Sequence, residues 1–113
     1  MPVSLQRRDD WSFAFQVRPV VVDLGERRHT ISPHEAQLVL GELGRLPKAR
    51  HRAAEETAIG LVSALAGGVA FAPGDDERRC LLRAVEGVRA RRTLSTGLVR
   101  LRELLVRSPG SVI

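Results

Sequence analysis

The sequence contains no tyrosine, no asparagine, one lysine and one cysteine. The single cysteine, Cys80, has no partner for an internal disulfide, which excludes a disulfide-stabilised scaffold and gives no reason to expect an oxidising compartment. Isoleucine is also rare, whereas 17 of the 18 basic residues are arginine. Because a genome rich in G and C encodes this composition readily, we expect a bacterial protein. We also expect a cytoplasmic location.

Long hydrophobic runs are missing as well. Residues 1–10 lack the apolar segment of a signal peptide. The uncharged stretch of residues 57–74 is interrupted by four glycines and a proline, whereas a membrane span needs about 20 predominantly apolar residues. We therefore expect no membrane partner.

The chain length and the balance of residue types predict one folded domain. At 113 residues, 43% apolar and 27% charged, the chain is typical of a small globular protein. We predict a flexible arm over residues 1–10, a single α+β domain over residues 11–107 and a tail over residues 108–113. The predicted fold is an N-terminal strand and a β-hairpin packed with about four helices, with a short strand between the second and third helices.

The N-terminal strand is predicted from strict alternation. Trp11, Phe13, Phe15 and Val17 alternate with smaller or polar residues, and they include three of the four aromatic residues in the chain. Pro19 lacks a backbone donor, so the strand must break, bend or lie at a sheet edge there.

A hairpin is predicted directly after this strand. Residues 20–24 and 27–31 read as two strands joined by Gly25 and Glu26, a loop that suits a tight hairpin turn. In this register Val20 faces Ile31, and Asp23 lies opposite Arg28 as a cross-strand charge pair.

Four helices are predicted after the hairpin. The first begins at Ser32, whose hydroxyl can cap the helix together with Glu35, and Pro33 suits the first helical position. Gly44 is expected in a left-handed conformation at the end of this helix. The remaining elements are a second helix over residues 48–66, a short strand over 69–72, a third helix over 75–92 and a fourth helix starting near Ser95.

The second helix carries two patterns. One is a stripe at helical spacing that we expect to be buried, and the other is a row of small residues, Gly60, Ala64 and Gly68, that would let another helix approach closely. The expected buried stripe comprises Ala54, Ala58, Leu61, Val62 and Leu65.

Catalytic and metal-binding signals are weak. The chain has no P-loop, no nucleophile elbow and no dinucleotide-binding glycine motif. Its histidines, His29, His34 and His51, do not form the two ligand pairs of a zinc site, and Cys80 borders an apolar stripe like a buried hydrophobic residue. We predict no catalytic residue, no metal, no cofactor and no enzymatic activity.

The preferred functional hypothesis is a protein–protein interaction module that associates with itself. An N-terminal aromatic strand interrupted by a proline has an edge to cover. The predicted contacts are Trp11, Phe13 and Phe15 on this strand, with Leu98, Leu101 and Leu105 on the fourth helix. The same leucine spacing is equally typical of ordinary core packing.

Nucleic-acid binding is the alternative hypothesis. The protein has a net charge of +5, and residues 75–113 hold nine basic and five acidic side chains, so the excess is concentrated there. The third and fourth helices could form a helix-turn-helix. The residues that would contact phosphate are Arg89, Arg91, Arg92, Arg100 and Arg102.

Overall fold

A two-stranded antiparallel hairpin and four helices form the fold in a computed structural model that describes residues 17–107. This arrangement confirms the predicted α+β class. The predicted arm, the aromatic strand over residues 11–16 and the C-terminal tail lie outside the described residues. The strands are β1 (Val20–Asp23) and β2 (Arg28–Ile31), and the helices are α1 (Pro33–Leu43), α2 (His51–Gly67), α3 (Asp75–Arg91) and α4 (Thr96–Val106), with a 3₁₀ turn at Lys48–Arg50.

The hairpin has the predicted register. Val20 pairs with Ile31 and Asp23 with Arg28, whose side chains form an ion pair at 3.4 Å. Gly25 adopts a φ of 94°, a left-handed conformation that glycine accommodates without a Cβ clash. The alternation along β1 buries one of its faces against the helices, which fixes the register.

A third segment pairs with β1 on the side away from β2. The amide of Phe71 donates to the carbonyl of Val21, and the amide of Asp23 donates to the carbonyl of Phe71, both at 2.8 Å. This is an isolated parallel bridge at Val22 and Phe71, where the sequence predicts a strand over residues 69–72. Phe71 is buried and the residues on either side of it are exposed, and the pairing is confined to this one position.

The helix starts follow the sequence more closely than the ends. Ser32 and Glu35 form the predicted reciprocal capping box, and Ser95 caps α4 by accepting the amide of Leu98 at 3.4 Å. Gly68 ends α2 in a left-handed conformation with a φ of 71°. The same expectation is wrong for Gly44, which has a φ of −68° because α1 unwinds through further right-handed turns.

Gly60 is the contact point between α2 and the sheet. A Cβ at this position would overlap the Phe71 ring, so the aromatic side chain occupies the space that glycine leaves open. The predicted row of small residues therefore receives a ring rather than a second helix at Gly60.

The core lies where α1 and α3 pack against each other, with α2, α4 and the inner face of the hairpin around them. Arg78 of α3 donates to the carbonyl of Leu24 at 2.9 Å and so ties the hairpin to the helices. No helix within residues 17–107 is long and apolar enough to cross a membrane.

Candidate interaction surface

The outer edge of β2 is formed by the backbone groups of Arg28 and Thr30. Because Val21 and Asp23 direct their backbone groups toward Phe71, antiparallel alternation directs those of their opposite residues, Thr30 and Arg28, away from β1. Within residues 17–107 no segment pairs with this edge. The sheet therefore has one closed side and one open side.

The side chains at the outer edge of β2 do not block it. Both Arg28 and Thr30 are exposed, and Arg28 is paired with Asp23 across the hairpin rather than presented as an isolated charge. Natural edges are often protected by lysine, proline or a bulge. The sequence of β2, Arg-His-Thr-Ile, contains no lysine and no proline, and Arg28 is its one charged residue.

His29 holds β2 on α4 from the inner face. Its Nε2 donates to the carbonyl of Gly97 at 2.8 Å, in the first turn of α4. This bond ties the inner face of β2 to α4, while the backbone groups of Arg28 and Thr30 point outward. A rigidly held strand with unpaired donors and acceptors is suited to accept another strand.

The described chain enters the fold on the opposite side from this edge. The amide of Arg18 donates to the carbonyl of Leu65 at 3.0 Å, near the end of α2, and the Arg18 side chain lies over Gly68. The helix α2 packs against β1, whereas α4 packs against β2. The predicted contact residues Trp11, Phe13 and Phe15 lie outside the described residues, immediately before this entry point.

Three further apolar side chains are exposed, Ile59 and Val62 on α2 and Val69 just after this helix. These side chains are 64%, 51% and 66% exposed. Val62 belongs to the predicted buried stripe of α2, and this prediction is wrong because the residue lies about 100° around the helix from the fully buried Leu61.

The predicted contact residues on α4 are placed in the core of the monomer. Leu98 and Leu101 are fully buried and Leu105 is 3% exposed. This placement agrees with the alternative interpretation of their spacing, which is ordinary packing against α3 and the hairpin. A partner could reach these leucines only if this core opened. They are therefore no part of the exposed surface.

Two of the arginines assigned to nucleic-acid binding share one carboxylate. Glu86 of α3 is contacted by Arg102 of α4 and lies 3.3 Å from Arg89. The hydrogen bond from Arg102 is the main reason that the pKa of Glu86 is below its ordinary value, with Arg89 adding to it. Arg102 thus joins α4 to α3, whereas Arg89 pairs with the same carboxylate within α3.

Two of the other three candidate arginines are also paired. Arg91 lies 2.8 Å from Glu42 of α1, and Arg100 lies 3.2 Å from Glu103. Within residues 17–107 Arg92 makes no ion pair, at the corner between α3 and α4. Four of the five candidate arginines are thus paired with a carboxylate.

Cys80 and His51, which were considered as a nucleophile and a metal ligand, lie in environments typical of a core residue and a surface residue. Cys80 is 1% exposed, and burial raises the pKa of its thiol despite nearby arginines, which keeps it in the unreactive protonated form. His51 lies 3.6 Å from Glu55 on the surface of α2. No group of three or more metal-ligating side chains occurs in the described part of the chain.

No protein-family model matches this sequence, and no similar protein was found among curated proteins or solved structures.

Proposed function

We propose that this protein is a non-catalytic module that associates with itself through the outer edge of β2, and that the occupant of that edge is a second copy of the chain. The observation that carries this proposal is the pair of residues, Arg28 and Thr30, whose backbone groups point away from β1 without a partner among residues 17–107.

Two further facts support a strand as the occupant. A two-stranded hairpin has marginal stability on its own, so additional pairing adds backbone hydrogen bonds where the sheet has few. The chain also contains one more alternating segment, residues 11–17, than the described sheet uses. A second copy therefore brings both an open edge and a segment that the sequence predicts to be a strand.

The test removes the outward amide of the edge. Thr30→Pro eliminates an N–H that the hairpin itself does not use, whereas Thr30→Ala retains it and removes only an exposed side chain. We expect light scattering to give an oligomer for the wild type and for Thr30→Ala, and a monomer for Thr30→Pro with unchanged circular dichroism.

Amide hydrogen exchange in the wild type is a second test, and it does not depend on whether the proline variant folds. The Thr30 amide should be protected at high protein concentration and exchange rapidly on dilution. The amide of His29, which faces β1, should remain protected throughout. A monomeric wild type, or a Thr30 amide that exchanges rapidly at all concentrations, would reject the proposal.

Nucleic-acid binding has less support than self-association. Glu86, Glu42 and Glu103 compete with phosphate for four of the five candidate arginines, which weakens any binding through them. An open backbone edge, in contrast, is available without breaking any contact of the monomer.

A further inference from the structure

We infer that the strand occupying the outer edge of β2 is the aromatic segment, residues 11–17, of the second copy, so that two copies exchange these segments. This inference rests on the proposed self-association and names the part of the partner that binds. Its starting point is the mismatch between where the chain enters the fold and where the sheet is open.

The entry point lies on the wrong side of the sheet for pairing within one chain. Arg18 is bonded to Leu65 of α2, and α2 packs on β1 and, at Gly60, on Phe71, which closes the far side of β1. The outer edge of β2 faces the other way. A segment paired there lies two strand spacings from β1, about 9.6 Å.

The distance that the chain can span prevents the whole segment from pairing with β2 of its own molecule. Val17 directly precedes the anchored Arg18, and one residue spans at most about 3.6 Å. The last residues of the segment therefore cannot lie along the outer edge of their own β2. In a second copy that edge carries no such tether, so the part of the segment that contains Phe15 can pair with it as well.

The segment has the length and pattern that the edge requires. Seven residues in extended conformation span about 23 Å, against about 13 Å for the four residues of β2. The alternation of Trp11, Phe13 and Phe15 places all three rings on one face of the added strand. Aromatic residues on a strand add large contact area beyond the backbone bonds.

Reciprocal exchange closes the assembly. Each copy contributes one segment and one edge, so a two-fold axis satisfies both and leaves neither edge open for further growth. Pro19 sits between the segment and β1 and, lacking an amide, cannot continue the ladder across the junction. The expected product is a dimer rather than a fibre.

The first experiment compares Phe13→Glu with Ser12→Glu, which places the same charge on the opposite face of the segment. We expect Phe13→Glu to raise the dimer dissociation constant about a hundredfold, as loss of a buried aromatic anchor does. Ser12→Glu should have a much smaller effect. Rapid exchange of the Thr30 amide should accompany the dissociation of Phe13→Glu, as measured in the full-length variant.

A second experiment establishes which copy supplies the segment. A sample mixed from isotope-labelled and unlabelled protein should show isotope-filtered nuclear Overhauser contacts between the Phe13 ring of one copy and β2 of the other. Contacts confined to one copy, or contacts of the Phe13 ring with Ile59 and Val62 of its own α2, would overturn the exchange.

The two proposals fail in different ways. If Thr30→Pro gives a folded monomer but Phe13→Glu stays dimeric, the edge of β2 pairs with something other than the segment, and only the exchange is rejected. If neither variant changes the oligomer, both the exchange and the role of the edge are rejected.

Discussion

Ser95 donates a hydrogen bond to Glu35, and the same carboxylate accepts the amide of Ser32 at 2.7 Å. One side chain thus closes the capping box of α1 and binds the N-cap residue of α4. Gly97 makes this approach possible, because a Cβ there would lie 2.5 Å from a Glu35 oxygen. The first turns of two helices are therefore joined through a single negative charge, which also suits both helix dipoles.

The shared carboxylate predicts a pH-dependent contribution to stability. Burial raises the pKa of Glu35, but hydrogen bonds from Ser95 and Ser32 outweigh it and hold the pKa below its ordinary value. A carboxyl whose pKa is lowered by folding stabilises the protein above its unfolded pKa, and this contribution disappears as the pH falls through the folded pKa. Glu35→Gln should therefore be less stable than the wild type at pH 7.

The stability difference between wild type and Glu35→Gln should narrow as the pH falls below about 4.3, the usual glutamate value. Urea denaturation at a series of pH values measures it. Ser95→Ala removes only one of the hydrogen bonds, so its pH dependence should lie between those of the other two proteins. A difference that grows on acidification would contradict this role for Glu35.

Two helical glycines should respond in opposite directions to alanine. The space that a Cβ would occupy at Gly41 of α1 has no atom within 4 Å, so Gly41→Ala should stabilise the fold by about 1 kcal/mol through helix propensity alone. At Gly60 the added methyl group would overlap the buried Phe71 ring, and Gly60→Ala should cost roughly 1–3 kcal/mol. Chemical denaturation of both variants provides the comparison, and equal shifts would show that Phe71 moves aside freely.

The features that could be predicted from the sequence are local. Ser32 and Glu35 specify a helix start within four residues, and the pairing of Val20 with Ile31 follows from alternation around a two-residue turn. Gly44 shows the limit, because a glycine permits a left-handed end but does not require one.

The candidate surface could not be predicted in the same way, because exposure depends on contacts between distant segments. The open edge of β2 is recognised only once Phe71 is seen to pair with the other side of β1. Leu98 illustrates the same problem in reverse, since a leucine row on a helix has the same spacing whether it faces a partner or the core. The pairing of Arg91 with Glu42 likewise joins residues from two separate helices.

Arg91 should contribute to stability, whereas Arg92 should not. Glu42, the partner of Arg91 at 2.8 Å, has a side chain only 12% exposed, so Arg91→Ala leaves a largely buried carboxylate without its cation. We expect a loss of roughly 1–3 kcal/mol. Arg92→Ala, in the adjacent exposed position, should stay within about 0.5 kcal/mol of the wild type.

A double-mutant cycle with Glu42→Gln separates this pairing from other effects of Arg91. Since removing both groups eliminates the unpaired charge, the double variant should be more stable than the sum of the single losses implies. Strict additivity in thermal unfolding would show that Arg91 acts independently of Glu42.

The same ion pairs predict a weak dependence of DNA binding on salt. If, of the five candidate arginines, only Arg92 contacts phosphate and no other cation does, the logarithm of the binding constant should fall with a slope of about −0.9 against the logarithm of salt concentration. Fluorescence anisotropy of a labelled duplex between about 50 and 200 mM salt measures this slope. A slope steeper than about −3 would mean that Arg89, Arg91, Arg100 or Arg102 leaves its carboxylate on binding, and would favour the nucleic-acid hypothesis. In that case Glu86→Gln, which frees Arg89 and Arg102, should bind DNA more tightly than the wild type, because a phosphate would no longer compete with the carboxylate for these two cations.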